Sequence, residues 1–185
     1  GDALVIAGDP AAAIEQYEAA ARLAPEAPEP PYGLALAALP QDPARARELL
    51  QRSIELNDAY FSAHQRLAEL AEQQHDWPTA IAERRWLHQH RPSDATALAL
   101  ATTLRLSGPT GYAEAERVLL PLANRNNVGA LIELAELYRA SGDLQATRTV
   151  LERAERVTPR GAERYPDIAY EMGRLLVAEE NIAEA

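Results

Sequence analysis

The chain has 185 residues, 47% hydrophobic and 25% charged, so it can bury a sizeable core and nothing in it points to disorder. Its net charge of −10 and isoelectric point near 4.9 exclude nucleic acid and anionic membrane surfaces as the expected main partners. One Phe and two Trp against abundant Ala and Leu argue for closely packed helices over a β-sandwich or barrel, and the lack of Cys removes disulfide and thiolate chemistry.

A small residue returns about every 34 residues, at Ala13, Ala46, Ala80, Ala115 and Ala185, with Thr147 taking the fifth turn. That period on helical segments marks stacked helix pairs, each a helix A, a tight turn and a helix B.

In chain order, the first helix A covers residues 2–7, and Gly8-Asp9-Pro10 leads into a helix B over 10–23, closed by Pro25. The Asp side chain accepts from the unpaired amides of the first turn, and Pro just inside the start lacks only an N–H that would be unpaired anyway. The second pair is predicted over 31–39 and 43–56, joined at Asp42-Pro43 and closed at Asp58. The third spans 60–74 and 77–90, with Asp76-Trp77-Pro78 between the helices and Pro92 after them. The fourth, 95–107 and 112–124, has a longer turn at Gly108-Pro109-Thr110-Gly111 and closes at Asn127. In the fifth, 129–141 and 144–157, Gly142 ends helix A in the left-handed conformation, Asp143 caps helix B and Pro159 closes the unit. An insertion around Gly161–Tyr165 precedes a sixth helix A over 166–179, and Asn181 repeats the cap position before a helix B starting at Ile182. Both ends fall mid-repeat, as expected of a fragment.

Ala20, Ser53 and Ala154 lie two turns after the marker, and Ala35, Ala68, Ala101, Ala135 and Gly173 give helix A a matching small position. Facing small residues let two backbones approach closely. The rest of the interior stripe is Leu67 and Ala71, Leu100 and Leu104, Leu134 and Tyr138, Met172 and Leu176.

These residues resemble the tetratricopeptide repeat (TPR). Gly8-Asp9, Ala13, Tyr17, Ala20 and Pro25 follow its pattern in the first unit, and Leu134-Ala135, Tyr138, Gly142-Asp143, Leu151, Ala154 and Pro159 in the fifth. The resemblance implies an all-α, right-handed α-solenoid of stacked antiparallel helix pairs. It would be a single array of about five and a half repeats over units 1–25, 26–58, 59–92, 93–127, 128–159 and 160–185. Arg84 departs from the pattern, standing where an aromatic or aliphatic residue is expected. Segment Ala123–Gly142, with Asn127, Ala130 and Tyr138, is also similar to the Sel1-like repeat. That similarity implies the periplasmic or outer-membrane-associated scaffolds of bacterial exopolysaccharide secretion, with a cytoplasmic location as the alternative.

Catalytic machinery is not expected. His88 and His90 are two apart on a helix, His64 and His75 lie near opposite ends of another, and no H-E-x-x-H or Cys completes a zinc set, so neither metal nor cofactor is expected. Glu69/Glu72 and Glu133/Glu136 read as solvated faces, and Gly108–Gly111 lacks the Lys and Ser/Thr of a phosphate-cradling loop. Trp77 is expected in the core, whereas Trp86 is either partly exposed or buried by a rotated helix B.

The resemblance implies that helix A lines a concave groove for a protein or peptide partner. By phase, the exposed groove residues are Tyr32, Gln65, Glu69, Glu72, Thr102, Arg105, Glu136, Arg139, Tyr170 and Arg174. Arg105 and Arg139 sit at equivalent phases and are read as a paired basic patch for a carboxylate or, alternatively, as cations paired with neighbouring Glu. A chaperone-tail clamp is disfavoured, since the chain has no Lys and Gln65 and Glu69 occupy two of its phases. The expected function is a non-enzymatic interaction scaffold. The alternatives are a regulatory or substrate-positioning arm of an enzyme such as a glycosyltransferase, and self-association through exposed solenoid ends. No stretch approaches the ~20 apolar residues of a membrane span.

Overall fold

Asp42 shows how the sequence builds its helices. Its side chain accepts the Arg45 amide at 2.9 Å and Pro43 occupies the first helical position. Asp143 does the same at Ala146 and Asn127 at Ala130. In the computed structural model, which describes residues 10–183, these caps punctuate an all-helical chain. The helices are α1 (Pro10–Leu23), α2 (Glu29–Ala38), α3 (Pro43–Leu56), α4 (Phe61–Gln73), α5 (Trp77–His90), α6 (Asp94–Leu106), α7 (Pro109–Asn124), α8 (Val128–Ser141), α9 (Leu144–Val157) and α10 (Tyr165–Ala183). The predicted helix 2–7, the Gly8-Asp9 turn and Ala185 lie outside the described residues.

Two compact units divide the chain, residues 1–90 and 91–185. In the first, α1 to α5 each pack on the next, and Ala13, Ala46 and Ala80 are fully buried where helix B meets helix A. Tyr17 lies over α2, where a Cβ on Gly33 would come within 2.2 Å of its ring. Ser53 spends its hydroxyl on the Pro28 carbonyl at 2.7 Å, so a polar group sits at the small position without an unmet hydrogen bond. His75, at the phase of Gly142, takes the left-handed conformation with φ 56 and turns α4 into α5. Buried His64 places Nδ1 2.5 Å from Glu83 Oε2 and Nε2 2.9 Å from the Asp58 carbonyl. Its ring stacks on Trp86 at 3.6 Å, and His90 stacks on Trp86 at 4.0 Å. Trp86 is thus half-buried between two imidazoles. Trp77 is also half-buried, at the first position of α5 against His75, and is not a core residue.

In the second unit, α6 to α10 again pack in sequence, and α8 lies against both α6 and α10. Ala101, Ala115, Ala135, Thr147 and Ala154 are buried at the predicted small positions. The four-residue turn at Gly108–Gly111 does not form. Ser107 and Gly108, the latter with φ 104, make the connection, and Pro109 opens α7. Gly111 is instead a buried helical residue at a crossing, where a Cβ would come within 2.2 Å of the Leu104 carbonyl oxygen.

The sixth repeat also departs from expectation. α10 runs unbroken to Ala183, so no turn forms at Asn181 and no helix B begins at Ile182. Glu180 stands there at the phase where Gly142 and His75 adopt positive φ and turn the chain. The buried face of α10 is Ile168, Glu171 and Leu175, with Met172 packed beside it. Gly173 and Leu176, predicted to be interior, face outward: open space surrounds Gly173, and Leu176 is 53% exposed. No described helix covers that side.

Candidate partner-binding face

Helix-A side chains in the second unit form a charged ladder across α6, α8 and α10. On α8, Glu133, Glu136 and Arg139 are spaced i, i+3 and i+6; on α10, Glu171 and Arg174 are i and i+3. Those spacings put each set on one helix face. Arg105 of α6 points its guanidinium at both acids of α8, 3.3 Å from Glu133 and 2.5 Å from Glu136, and its side chain is only 14% exposed. On the far side, Glu171 is 4% exposed, accepts a hydrogen bond from Arg174 at 2.7 Å and forms a looser ion pair with Arg139, whose Nε is 3.7 Å away. Burial is the main force pushing the Glu136 carboxyl above its ordinary range, with the Glu133 and Glu171 charges adding to it and Arg105 opposing. Tyr138, one residue from Arg139, is turned to Glu116 of α7 at 2.6 Å.

Beside Glu171 the surface opens into a cleft of about 550 Å³, lined by Arg139, Ala169, Tyr170, Gly173, Arg174 and Val177. Tyr170 is 67% exposed and Val177 59%, and the Arg174 guanidinium lies 5.7 Å from the Tyr170 ring centre. The floor is apolar and one wall carries two guanidiniums.

The ten residues picked out by phase therefore divide. Arg105, Glu136, Arg139 and Arg174 meet in the ladder, and Tyr170 sits at its edge. Arg105 and Arg139 do not form a paired basic patch, because two carboxylates cover Arg105. Thr102 donates to the Leu98 carbonyl of its own helix. In the first unit, Tyr32 packs edge-on against Tyr60 at 5.4 Å, Gln65 donates to Glu69, and Arg66 pairs with Glu69 at 2.7 Å. Glu72 receives Arg84 in a two-pronged contact, both bonds 2.8 Å. The odd residue of repeat three is thus half of an ion pair between helix A and helix B. The carboxylate pairs expected to be solvated faces, Glu69/Glu72 and Glu133/Glu136, are engaged by Arg66, Arg84 and Arg105. Phase reasoning missed Glu133 and Glu171 as partners, although Glu171 lies three residues before Arg174 and Glu133 three before Glu136.

No family model and no curated protein matches the sequence; the likeness is to solved structures. A tetratricopeptide repeat protein from Parabacteroides merdae superposes with a TM-score of 0.71 at 18% identity, over 98% of this chain and 75% of that one. MamA aligns with a TM-score of 0.61 at 17% identity, over 84% of this chain and 94% of that one. A MamA double mutant gives 0.54 at 15% identity, over 100% of this chain and 93% of that one. The fold is that of the TPR α-solenoids, stacked antiparallel helix pairs without a strand among the described residues. None of the described helices is long and apolar enough to cross a membrane.

Proposed function

We propose that this chain is a non-enzymatic scaffold for protein–protein interaction, holding a peptide or protein segment against its helix-A face. One observation carries the reading. On α8 and α10 an open apolar cleft carries an exposed Tyr and two Arg, residue types enriched at binding hot spots. The division into six repeat units belongs to the same proposal. A finer version, a place in a bacterial envelope assembly for exopolysaccharide secretion, rests on the Sel1-like spacing of Ala123–Gly142 and is tested by fractionating the host cell. The binding reading is tested by peptide-display selection on the whole chain, repeated with Val177→Asp. Enriched sequences that are lost with that variant, at unchanged helical circular dichroism, are expected. Enrichment indifferent to Val177→Asp would place binding elsewhere.

A further inference from the structure

We propose that the α8–α10 cleft takes an acidic, apolar segment of a partner protein, one carboxylate meeting Arg139 and one aliphatic or aromatic side chain resting on Tyr170, Gly173 and Val177. The inference rests on the scaffold reading above and names the chemistry of its partner.

The ladder is neutral in sum but polarised. At the α6 end one cation, Arg105, faces two carboxylates, Glu133 and Glu136. At the α10 end two cations, Arg139 and Arg174, share one buried carboxylate, Glu171. Glu136 also attracts Arg174, so the cation left with least compensation at the cleft is Arg139.

Arg139 is the least satisfied of the three cations. Its Nε is buried, 3.7 Å from Glu171 and without a hydrogen-bond partner, whereas Arg105 and Arg174 both hydrogen-bond to Glu side chains; the side chain is 27% exposed, so a ligand would meet its terminal nitrogens. A guanidinium offers five donors in a fixed fork, and a carboxylate takes two of them at once. The apolar floor lies beside that fork: Tyr170 and Val177 are exposed, and nothing stands within 4 Å of a Cβ built on Gly173.

Other chemistries fit worse. A basic segment would bring a third cation against Arg139 and Arg174. A neutral apolar segment would cover the Arg139 donors without a partner, an unfavourable burial. The negative charge is unevenly distributed along the sequence, and the part that carries the cleft is the less acidic one. Residues 1–90 hold 7 Arg against 14 Asp and Glu, while residues 91–185 hold 11 against 14. At physiological salt, charges beyond about 8 Å are largely screened.

The test is a fluorescence-polarisation titration of the whole chain with three sets of fluorescein-labelled heptapeptides. All have a central Leu, flanked by Asp/Glu, by Ser/Gln or by Arg/Lys. The acidic set should bind about tenfold tighter than the neutral one, and Arg139→Gln should abolish that advantage by weakening the acidic set without weakening the neutral one. Tyr170→Ala should weaken both. An acidic set no better than the neutral one, or an advantage that survives Arg139→Gln, overturns the assignment of a carboxylate to Arg139. If neutral or basic peptides bind best and are lost with Tyr170→Ala, the cleft remains the binding face and only its charge preference falls. If no set binds, the cleft is not the site and both readings fail there.

Discussion

Replacing Gly111 with Ala sets two physical effects of opposite sign against each other. Helix propensity alone favours Ala over Gly inside a helix by about 1 kcal/mol, so a solvent-facing Gly111 would make the variant more stable. The structure predicts the reverse. The new Cβ would lie 2.2 Å from the Leu104 carbonyl oxygen and 2.9 Å from its carbon. Both belong to backbone that cannot swing aside as a side-chain tip can. To restore ordinary contact, α6 and α7 must separate by roughly 1 Å, loosening a junction where Leu104 and Ala115 are buried. Overpacking of that kind costs about 1–3 kcal/mol, and a backbone clash belongs at the upper end. After the propensity gain the net loss should be about 2 kcal/mol, a fall of roughly 4–8 °C in melting temperature for a chain of this size. Thermal and urea unfolding followed by circular dichroism would measure it. Gly161→Ala serves as the control, because nothing lies within 4 Å of its added Cβ and it should move the midpoint little. A Gly111→Ala chain as stable as the parent would refute the close crossing and restore the long-turn reading of Gly108–Gly111.

Arg84→Leu restores the aliphatic residue of the repeat pattern but removes both Arg84 hydrogen bonds to Glu72, so it should destabilise, and a double-mutant cycle with Glu72→Gln should give a coupling of about 1–2 kcal/mol; zero coupling would make the pair incidental. Ser93→Ala removes a capping box shared with Thr96 and should lower stability by about 1 kcal/mol, read from the urea midpoint. Asp76 has its pKa lowered, chiefly by the Arg47 hydrogen bond and then by Thr79. Its stabilisation is therefore present above the ordinary value of 3.8 and disappears as the pH falls below it, and Asp76→Asn should flatten that acid limb of the melting-temperature profile. The raised pKa of Glu136 acts the other way: its favourable contribution is full below the ordinary 4.5 and declines as the pH rises through the folded value. Glu136→Gln should lack that decline, and a decline of the parent's size in the variant would contradict the burial of Glu136.

Most of the helix frame was legible because caps and breakers act locally. The four helix boundaries at 10–23, 43–56, 77–90 and 144–157 follow from Pro and Asp at the start and from the spacing to the next breaker, and α1, α3, α5 and α9 have those bounds. Gly108–Gly111 misled because Gly and Pro serve two purposes. One Gly with positive φ and one Pro at a helix start were enough for the turn, and Gly111 answers the close approach of the α6 backbone at Leu104, which residue type alone does not distinguish from a turn glycine. α10 misled for a related reason. A small residue marks the interior only when a neighbouring helix covers it, and none of those described covers Gly173.

The site was less legible than the fold. Phase placed Arg105, Glu136, Arg139 and Arg174 on helix-A faces, and the structure gathers them, but phase carries no information about which charge neutralises which. Arg105 is closed off by Glu133, 28 residues away and 3.3 Å distant. Arg139, indistinguishable from Arg105 by phase, keeps a donor without a hydrogen bond, the facing oxygen of Glu171 standing 3.7 Å away. That difference separates Arg139, Tyr170 and Arg174, which line the cleft between α8 and α10, from the rest of the ten residues chosen by phase.

Nuclear magnetic resonance on the whole chain, titrated with the tightest acidic heptapeptide, tests the central claim most directly. Resonances of Tyr170, Gly173, Val177 and the Arg139 Nε–H should shift together and saturate with one affinity. Shifts confined to the exposed positions of α7 and α9, such as Arg117 and Glu152, with the α10 resonances unmoved, would contradict the assignment of the binding face.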